Sequence, residues 1–244
     1  MSITLYSKFR FSCHKGLKCF TRCCRNVNIF LTPYDVLRMK NRTGVQSDEF
    51  LKKYTKALVS SSFSLPVVLL KMKDDEDKSC PFLTNGGCSI YEDRPWSCRM
   101  YPLDKDIEDD EYKLIVGEDF CLGLKEGKEW IVEDWFEDQG LIPYDTYNQL
   151  FNQIVNAESS WGNKVPDKSV IDMFYMTCYN IDKFRGFVFN SSFLNLFEVD
   201  EGLKERIRVD DPELLKFGFK WLRFGLLGEK NLLIKESALK KKKK

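Results

Sequence analysis

The spacing of apolar positions predicts short helices and strands in the first half of the chain and mainly helices in the second. Thr32, Pro33 and Asp35 are typical of a helix start. Threonine caps free backbone N–H groups, proline suits the first helical position, and the acid completes a capping box. Apolar residues follow at helical spacing, and we expect Gly44 to end this helix.

A second helix, a strand and a hairpin are predicted next. We expect Ser47 to cap the helix. Its apolar positions are Phe50, Leu51, Tyr54 and Leu58. The run at 66–72 is rich in valine and leucine and predicts a strand. The Asn-Gly-Gly sequence at 85–87 is a strong hairpin signal, and 112–116 predicts a further short strand.

From Glu129 onward the apolar residues recur at helical spacing. They are Trp130, Trp135 and Phe136, followed by Tyr147, Leu150, Phe151, Ile154 and Val155. Further helices are predicted over 169–179, 192–207 and 211–227. The whole pattern predicts an α+β protein. A small cysteine-rich domain with short hairpins and helices covers 1–128, a mainly helical region over 129–239 packs on it, and 240–244 form a disordered lysine tail.

The charge balance argues against a surface that binds nucleic acid. The chain has 38 basic and 37 acidic residues, and five of the lysines form the tail. Without those five, 33 basic residues face 37 acidic ones, which gives a net charge of −4. Nucleic-acid binding needs a basic face that displaces counterions from phosphates. We therefore expect no strong nucleic-acid interaction, and a solvated tail rather than one bound to a polyanion.

No segment predicts export or membrane insertion. Residues 1–13 lack the apolar stretch of a secretory signal. The longest apolar run, 65–70, is far shorter than the roughly 20 residues that span a bilayer. We expect no transmembrane segment and a cytoplasmic location. Thiols stay reduced there, and clustered cysteines bind metal more often than they form disulfides.

Cysteines are the most informative residues, because eight of the nine lie at or before residue 121. Thiolates are soft donors that suit zinc and iron–sulfur clusters. A short segment with little core of its own, such as 9–25, gains order when several thiolates share one ion or cluster. The candidate metal ligands are Cys13, Cys19, Cys23, Cys24, Cys80, Cys88, Cys98 and Cys121.

The number and identity of the metal centres stay open at this point. Adjacent residues Cys23 and Cys24 cannot easily aim both sulfurs at one ion, so one ligates while the other packs, or the two serve different metals. Four ligands suffice for one cluster, so the eight cysteines form two sites or one site with supporting thiols. Structural zinc sites usually show two C-x-x-C knuckles, which this chain lacks. We favour an iron–sulfur cluster over zinc, with a thiol or disulfide array as the third alternative.

The strings around these cysteines closely resemble the YkgJ-like cysteine cluster family, named for a C-x-x-C-x-x-C-C signature and described as a zinc- or iron-chelating domain. The resemblance covers residues 9–130. It includes Leu-Thr-Pro-x-Asp at 31–35 and Arg-Pro-x-x-Cys-Arg-x-Tyr-Pro at 94–102. The first spacings differ from the signature: five residues separate Cys13 from Cys19, and three separate Cys19 from Cys23. The loop after Cys13 is therefore longer than the family name implies.

The resemblance extends to the flagellin lysine N-methylases, which belong to the same broader group and are reported to carry a four-iron–four-sulfur cluster. It implies methyl transfer from S-adenosylmethionine to lysines of a protein such as flagellin. The chain has no G-x-G-x-x-G, no Walker loop and no C-x-x-x-C-x-x-C run, so a methyl transfer would use an unconventional site and no catalytic residue is predicted. The alternatives are a non-enzymatic zinc- or iron-binding module whose helical half binds a partner, and a redox or electron-transfer protein.

Residues beside the cysteines are candidates for supporting a cofactor. Arg94 and Arg99 flank Cys98, where they either stabilise sulfur charge or form ordinary ion pairs with neighbouring acids. Tyr101 is expected to pack around the site and shield it from water. The single histidine, His14, is expected to be an exposed loop residue, and Cys178 a buried apolar one.

Overall fold

The computed structural model describes residues 3–60, 63–105, 111–157 and 166–241. In these residues the helices are α1 (Pro33–Thr43), α2 (Ser47–Tyr54), α3 (Trp96–Met100), α4 (Val132–Asp138), α5 (Ile142–Val155), α6 (Lys168–Tyr179), α7 (Ile181–Asn190), α8 (Phe193–Leu196), α9 (Glu201–Val209), α10 (Asp211–Leu227) and α11 (Glu236–Lys241). The strands are β1 (Lys8–Arg10), β2 (Phe30–Leu31), β3 (Thr55–Ser60), β4 (Phe63–Leu70), β5 (Leu83–Thr84), β6 (Gly87–Cys88), β7 (Leu103–Lys105), β8 (Tyr112–Leu114), β9 (Glu129–Ile131), β10 (Phe197–Glu198) and β11 (Leu233–Ile234). They form small antiparallel sheets, so the predicted α+β class is confirmed.

Helix α1 begins and ends where the sequence predicts. The Thr32 hydroxyl accepts a hydrogen bond from the Asp35 N–H at 3.3 Å, and the Asp35 carboxylate accepts one from the Thr32 N–H at 2.8 Å. These two bonds form the predicted capping box. Gly44 follows the helix with a φ of 70°, a conformation that favours glycine.

Helix α2 is shorter than predicted, and Ser47 does not cap it. Gln46 precedes the helix, and Ser47 is its first residue. The Ser47 hydroxyl donates instead to the side chain of Asn180 at 2.9 Å. Leu58, expected on this helix, lies in β3 opposite Val67 of β4. Pairing with a neighbouring strand outweighs the local helical pattern here. Strand β4 overlaps most of the predicted range of 66–72, but it starts three residues earlier and ends two residues earlier.

Strands β1 and β9 join the amino-terminal segment to the middle of the chain. Phe9 pairs with Trp130, so Trp130 lies in a strand and the predicted helix begins only at α4. The rings of Phe9 and Phe11 meet Trp135 edge-on, at 5.9 and 5.4 Å between centroids. A small core forms around these rings. It combines residues from both sides of position 128, where the two domains were predicted to meet.

A larger core packs the helical half against α1, α2 and the sheet β2–β4–β3. Phe50 from the first part and Tyr144 and Leu214 from the second are almost completely buried in it. The rings of Tyr34 in α1 and Tyr147 in α5 stack with their centroids 4.2 Å apart. The helical region therefore packs directly on the elements that surround the cysteines.

Buried ion pairs join the same two parts. The Lys40 ammonium of α1 lies 3.2 Å from the carboxylates of both Asp182 in α7 and Asp211 in α10. Arg185 also pairs with Asp211. Each of these charges is mostly buried. Their attraction offsets the loss of hydration only while every partner is present.

The carboxy-terminal elements agree with the predictions in part. Helices α6 and α10 match the predicted ranges 169–179 and 211–227. The predicted single helix over 192–207 is wrong, because this segment is divided into α8, β10 and α9. Strand β10 pairs with β11. The Asp200 carboxylate then caps a new helix, α9, by accepting the Leu203 N–H at 3.0 Å. Of the predicted disordered tail, 240 and 241 end α11 and 242–244 lie outside the described residues. Among the described helices, none combines the length and apolar character that crossing a bilayer requires.

Candidate metal centre

Cys23 and Cys24 lie in a loop segment without buried residues, whose conformation is set by a tight backbone turn. A single 3-10 turn, Arg22–Cys24, carries the adjacent pair Cys23 and Cys24. Thr21, just before the turn, has a φ of 67°, which is uncommon for a β-branched residue. A conformation of this kind persists only where its surroundings hold it, and it is frequent at functional sites.

Backbone contacts bring Cys24 beside Cys80. The Cys80 N–H donates to the Cys24 carbonyl at 2.9 Å, and Arg25 forms an antiparallel bridge with Ser79. The Asp75 carboxylate accepts the Ser79 N–H at 2.7 Å and holds the polar turn before Cys80. Two ligand candidates that are far apart in sequence therefore become neighbours.

The predicted hairpin places Cys80 and Cys88 side by side. Strands β5 and β6 pair Leu83 with Cys88, and the Leu83 N–H donates to the Cys80 carbonyl. Burial raises the pKa of Cys80 to about 11, while the backbone amide of Phe82 opposes this shift. Burial likewise raises the pKa of Cys88, and the Ile90 N–H opposes this shift. In both cases the backbone amide two residues after the cysteine favours the thiolate, and burial outweighs it.

Cys98 lies on α3, and Asp35 fixes that helix. The Asp35 carboxylate, which completes the α1 cap, also accepts the Trp96 N–H at 2.8 Å. Burial raises the pKa of Asp35 to about 6, although these N–H donors lower it. Burial also raises the pKa of Cys98, and the nearby thiols of Cys24, Cys80 and Cys88 raise it further. Cys24, Cys80, Cys88 and Cys98 therefore form one electrostatically coupled group, which we name the hairpin set.

The other four cysteines line a shallow groove. Its volume is about 250 Å³ when the space open to solvent is included. The four cysteines are Cys13, Cys19, Cys23 and Cys121, and we name them the groove set. Burial raises the pKa of Cys13 to about 11, and the nearby thiols of Cys121, Cys19 and Cys24 raise it further. The two sets meet at the adjacent pair, where the Cys23 thiol lowers the pKa of Cys24.

The three candidate supporting residues lie close to these sets. Arg94 donates to the Tyr91 carbonyl at 2.5 Å and to the Gln139 side chain, and its charge lowers the pKa of Cys88. Arg99 donates to the carbonyls of Gln139, at 2.5 Å, and of Glu92. Both side chains are buried, so they tie the Cys98 segment to the end of α4. Tyr101 faces the groove set instead.

The remaining candidates take the places that the sequence predicts. His14 is exposed, and its Nδ1 accepts the Gly16 N–H at 3.2 Å. Cys178 is 1% exposed and packs in the larger core. Sequence reasoning missed Asp35 as a support of Cys98. The sequence indicated only that Asp35 completes the capping box of α1, and nothing in that pattern predicts its contact with α3.

The donor set fits a thiophilic metal by its chemistry. All nine cysteines are free thiols. The Leu122 N–H donates to Cys19 Sγ at 3.3 Å. In the described part of the chain, no three cysteine, histidine or carboxylate side chains are spaced to surround a single ion as they stand. Binding therefore requires thiols to turn inward and to release their protons.

Fold and thiols together define a cysteine-cluster α+β protein. Residues 12–121 match the CxxCxxCC family model, described as "Putative zinc- or iron-chelating domain", so this part of the chain is similar to that family. The match begins just before Cys13 and ends at Cys121, so it includes all eight candidate ligands. No curated protein and no solved structure matches the chain.

Proposed function

We propose that this protein binds an iron–sulfur cluster, of the four-iron–four-sulfur type, through the hairpin set. The observation that supports it best is that backbone pairing brings Cys24, Cys80 and Cys88 together: the Cys80 N–H donates to the Cys24 carbonyl at 2.9 Å, and the hairpin that follows Cys80 pairs Leu83 with Cys88. Cys24 and Cys98 complete a set of four thiols, the number that such a cluster takes. When bound, a cluster supplies one-electron chemistry or a rigid cross-link between segments.

The preference for iron–sulfur over zinc rests on where the four ligands come from. They lie on a 3-10 turn, on both sides of a hairpin and on α3, rather than on two C-x-x-C knuckles. The buried guanidinium of Arg94 lies near Cys88 and offsets part of the negative charge of a thiolate centre. These features suit a cluster held between separate segments of the chain.

The test is the metal content of protein purified anaerobically without added metal. Iron with an equal amount of acid-labile sulfide, together with broad visible absorption, is the expected result. Cys88→Ser should lose both, while Cys178→Ala, outside both sets, should keep them. Zinc without sulfide in the wild-type protein would contradict the cluster and favour a zinc site.

Methyl transfer from S-adenosylmethionine to a flagellin-like protein is supported only by the family resemblance. It stays a proposal for the whole chain, with no catalytic residue assigned. Transfer of labelled methyl groups to co-expressed flagellin by fully loaded protein would support it. The absence of transfer by protein with intact metal content would favour a metal-binding module without this activity.

A further inference from the structure

The outer face of the sheet β2–β4–β3 is apolar at positions where polar residues are expected. Its inner face packs Leu31, Val68 and Leu70 into the larger core. An antiparallel sheet with one solvated face usually alternates apolar inward and polar outward residues. The outward positions of β4 are instead Val67 and Leu69, which are only partly buried. Both faces of this short sheet therefore carry apolar side chains.

Strand pairing gathers these side chains with two more that are exposed. Leu69 lies between Phe30 of β2 and Lys56 of β3, and Val67 lies opposite Leu58 of β3. Residues directly opposite each other in an antiparallel pair point to the same face of the sheet. Phe30 is 53% exposed and Leu58 is 49% exposed. We name Phe30, Leu58, Val67 and Leu69 the outer patch, and contiguous exposed apolar side chains of this kind are typical of an interaction site.

Two positive charges lie beside the outer patch. Lys56 stands in the same cross-strand row as Leu69. Lys71 continues the alternation of β4, since its N–H donates to the Tyr54 carbonyl at 2.8 Å, and its side chain therefore points to the outer side. Both lysines are exposed, and in the described part of the chain neither ammonium group has an ion-pair partner. An apolar face with two unpaired cations suits a partner that carries apolar and acidic side chains together.

The width of the sheet fits one helix. Neighbouring strands lie about 4.8 Å apart, so β2 and β3, with β4 between them, are separated by roughly 10 Å. An α-helix with its side chains is about 10–12 Å across. Strand addition at the edge of β3 is disfavoured, because Lys56 stands on that edge and the register shifts between Leu58 and Ser60. A second copy laid face to face would add the same two lysines, and its outer patch would supply no carboxylate.

We propose that the outer patch is a docking site for an amphipathic helix of a partner protein. The apolar side chains of that helix cover the outer patch, and its carboxylates pair with Lys56 and Lys71. Helices that dock in this way present apolar residues at i, i+3, i+4 and i+7. The outer patch contains no cysteine, so this interaction goes beyond the function proposed above and does not require a bound metal.

The experiment measures binding of a synthetic peptide to the full-length protein by fluorescence anisotropy. The peptide has about 18 residues, long enough for helix formation, with leucines at i, i+3, i+4 and i+7 spacing and glutamates on the opposite face. Phe30→Ser with Leu58→Ser, and Lys56→Glu with Lys71→Glu, should each weaken its binding roughly tenfold. The charge-reversed variant should in turn bind a peptide with lysines in place of the glutamates more tightly than the wild type does.

Val209→Ser and Lys220→Glu are matched controls. They change an exposed apolar residue of α9 and an exposed lysine of α10, and both should bind the glutamate peptide like the wild type. Circular dichroism checks that every variant is folded.

The proposal would be overturned by a wild-type protein that binds no peptide, that binds the lysine peptide as tightly as the glutamate peptide, or that has the same affinity as both double variants. Vesicles containing phosphatidylserine distinguish a membrane. If the wild type binds these vesicles but not the peptide, the patch is a lipid-binding surface and the proposal is wrong. Sedimentation distinguishes a second copy: a dimer that Phe30→Ser with Leu58→Ser dissociates would also contradict a partner helix.

Discussion

The buried carboxylate of Asp35 accepts the backbone N–H of Trp96 at 2.8 Å, across 61 residues of sequence. The other oxygen of the same carboxylate closes the α1 capping box. One side chain therefore orients two helices, of which the second carries Cys98.

Asp35→Asn should weaken metal retention at the hairpin set. An amide has only one acceptor oxygen, so one of the two N–H donors loses its partner, which costs about 1–3 kcal/mol when that group is buried. The rate of metal loss to a chelator should rise by roughly tenfold or more. Asp167→Asn is the matched control, since Asp167 caps α6. If both variants retain metal like the wild type, Asp35 does not position Cys98.

Gly123→Ala should damage the groove set. The new Cβ would approach the Ser12 carbonyl to 2.6 Å, so the backbone must shift at a cost of about 1–3 kcal/mol. Gly127→Ala, where nothing lies within 4 Å of an added Cβ, should be neutral. Denaturant unfolding measures the stability, and the visible bands of Co²⁺ added anaerobically to reduced, metal-free protein measure binding by the thiols. Equal stability and equal cobalt binding in both variants would show that close approach at Gly123 is unimportant.

Lys40→Ala should destabilise the fold strongly. The substitution leaves the carboxylates of Asp182 and Asp211 mostly buried without the ammonium that pairs with both. Breaking a buried ion pair in this way costs about 3–5 kcal/mol of folding stability. Lys204→Ala removes a helical pair whose Glu201 partner is largely exposed and should cost about 0–1 kcal/mol. Urea unfolding compares them. A small effect at Lys40 would mean that the ion pairs contribute little to joining α1 with α7 and α10.

Metal binding should release protons and strengthen as the pH rises. Burial raises the pKa of Cys80 to about 11 and also raises that of Cys88, so both thiols are protonated at neutral pH and must lose protons to bind metal. At pH values below the pKa of a ligating thiol, each proton released on binding makes the metal affinity rise roughly tenfold per pH unit. Calorimetry in buffers of different ionisation enthalpy counts the protons. An affinity independent of pH between 6 and 8 would exclude these thiols as ligands.

Local signals predicted the elements that depend on few residues. The Thr32–Asp35 capping box, Gly44 and the hairpin at 85–87 involve contacts within four residues, and all were predicted correctly. Leu58 and Trp130 were assigned to helices because their spacing is helical. Both lie in strands, since each pairs with a strand formed by another part of the chain.

For the site, too, the residues themselves could be predicted from local sequence, whereas their arrangement in space depends on long-range contacts. The cysteine strings indicated eight candidate thiols and a resemblance to the family, but not how the thiols are grouped. That grouping depends on the turn at Cys23 and Cys24, which begins at the left-handed Thr21, and on the hydrogen bond from Cys80 to the Cys24 carbonyl. Neither feature has a signature in the neighbouring residues.

The most direct test of the central claim is X-ray absorption spectroscopy of the anaerobically purified protein at the iron and zinc edges. We expect bound metal whose nearest shell is sulfur, and less metal per chain in the Cys88→Ser variant. A nearest shell of nitrogen or oxygen, or a variant with unchanged metal content and spectrum, would contradict the assignment of these thiols as ligands.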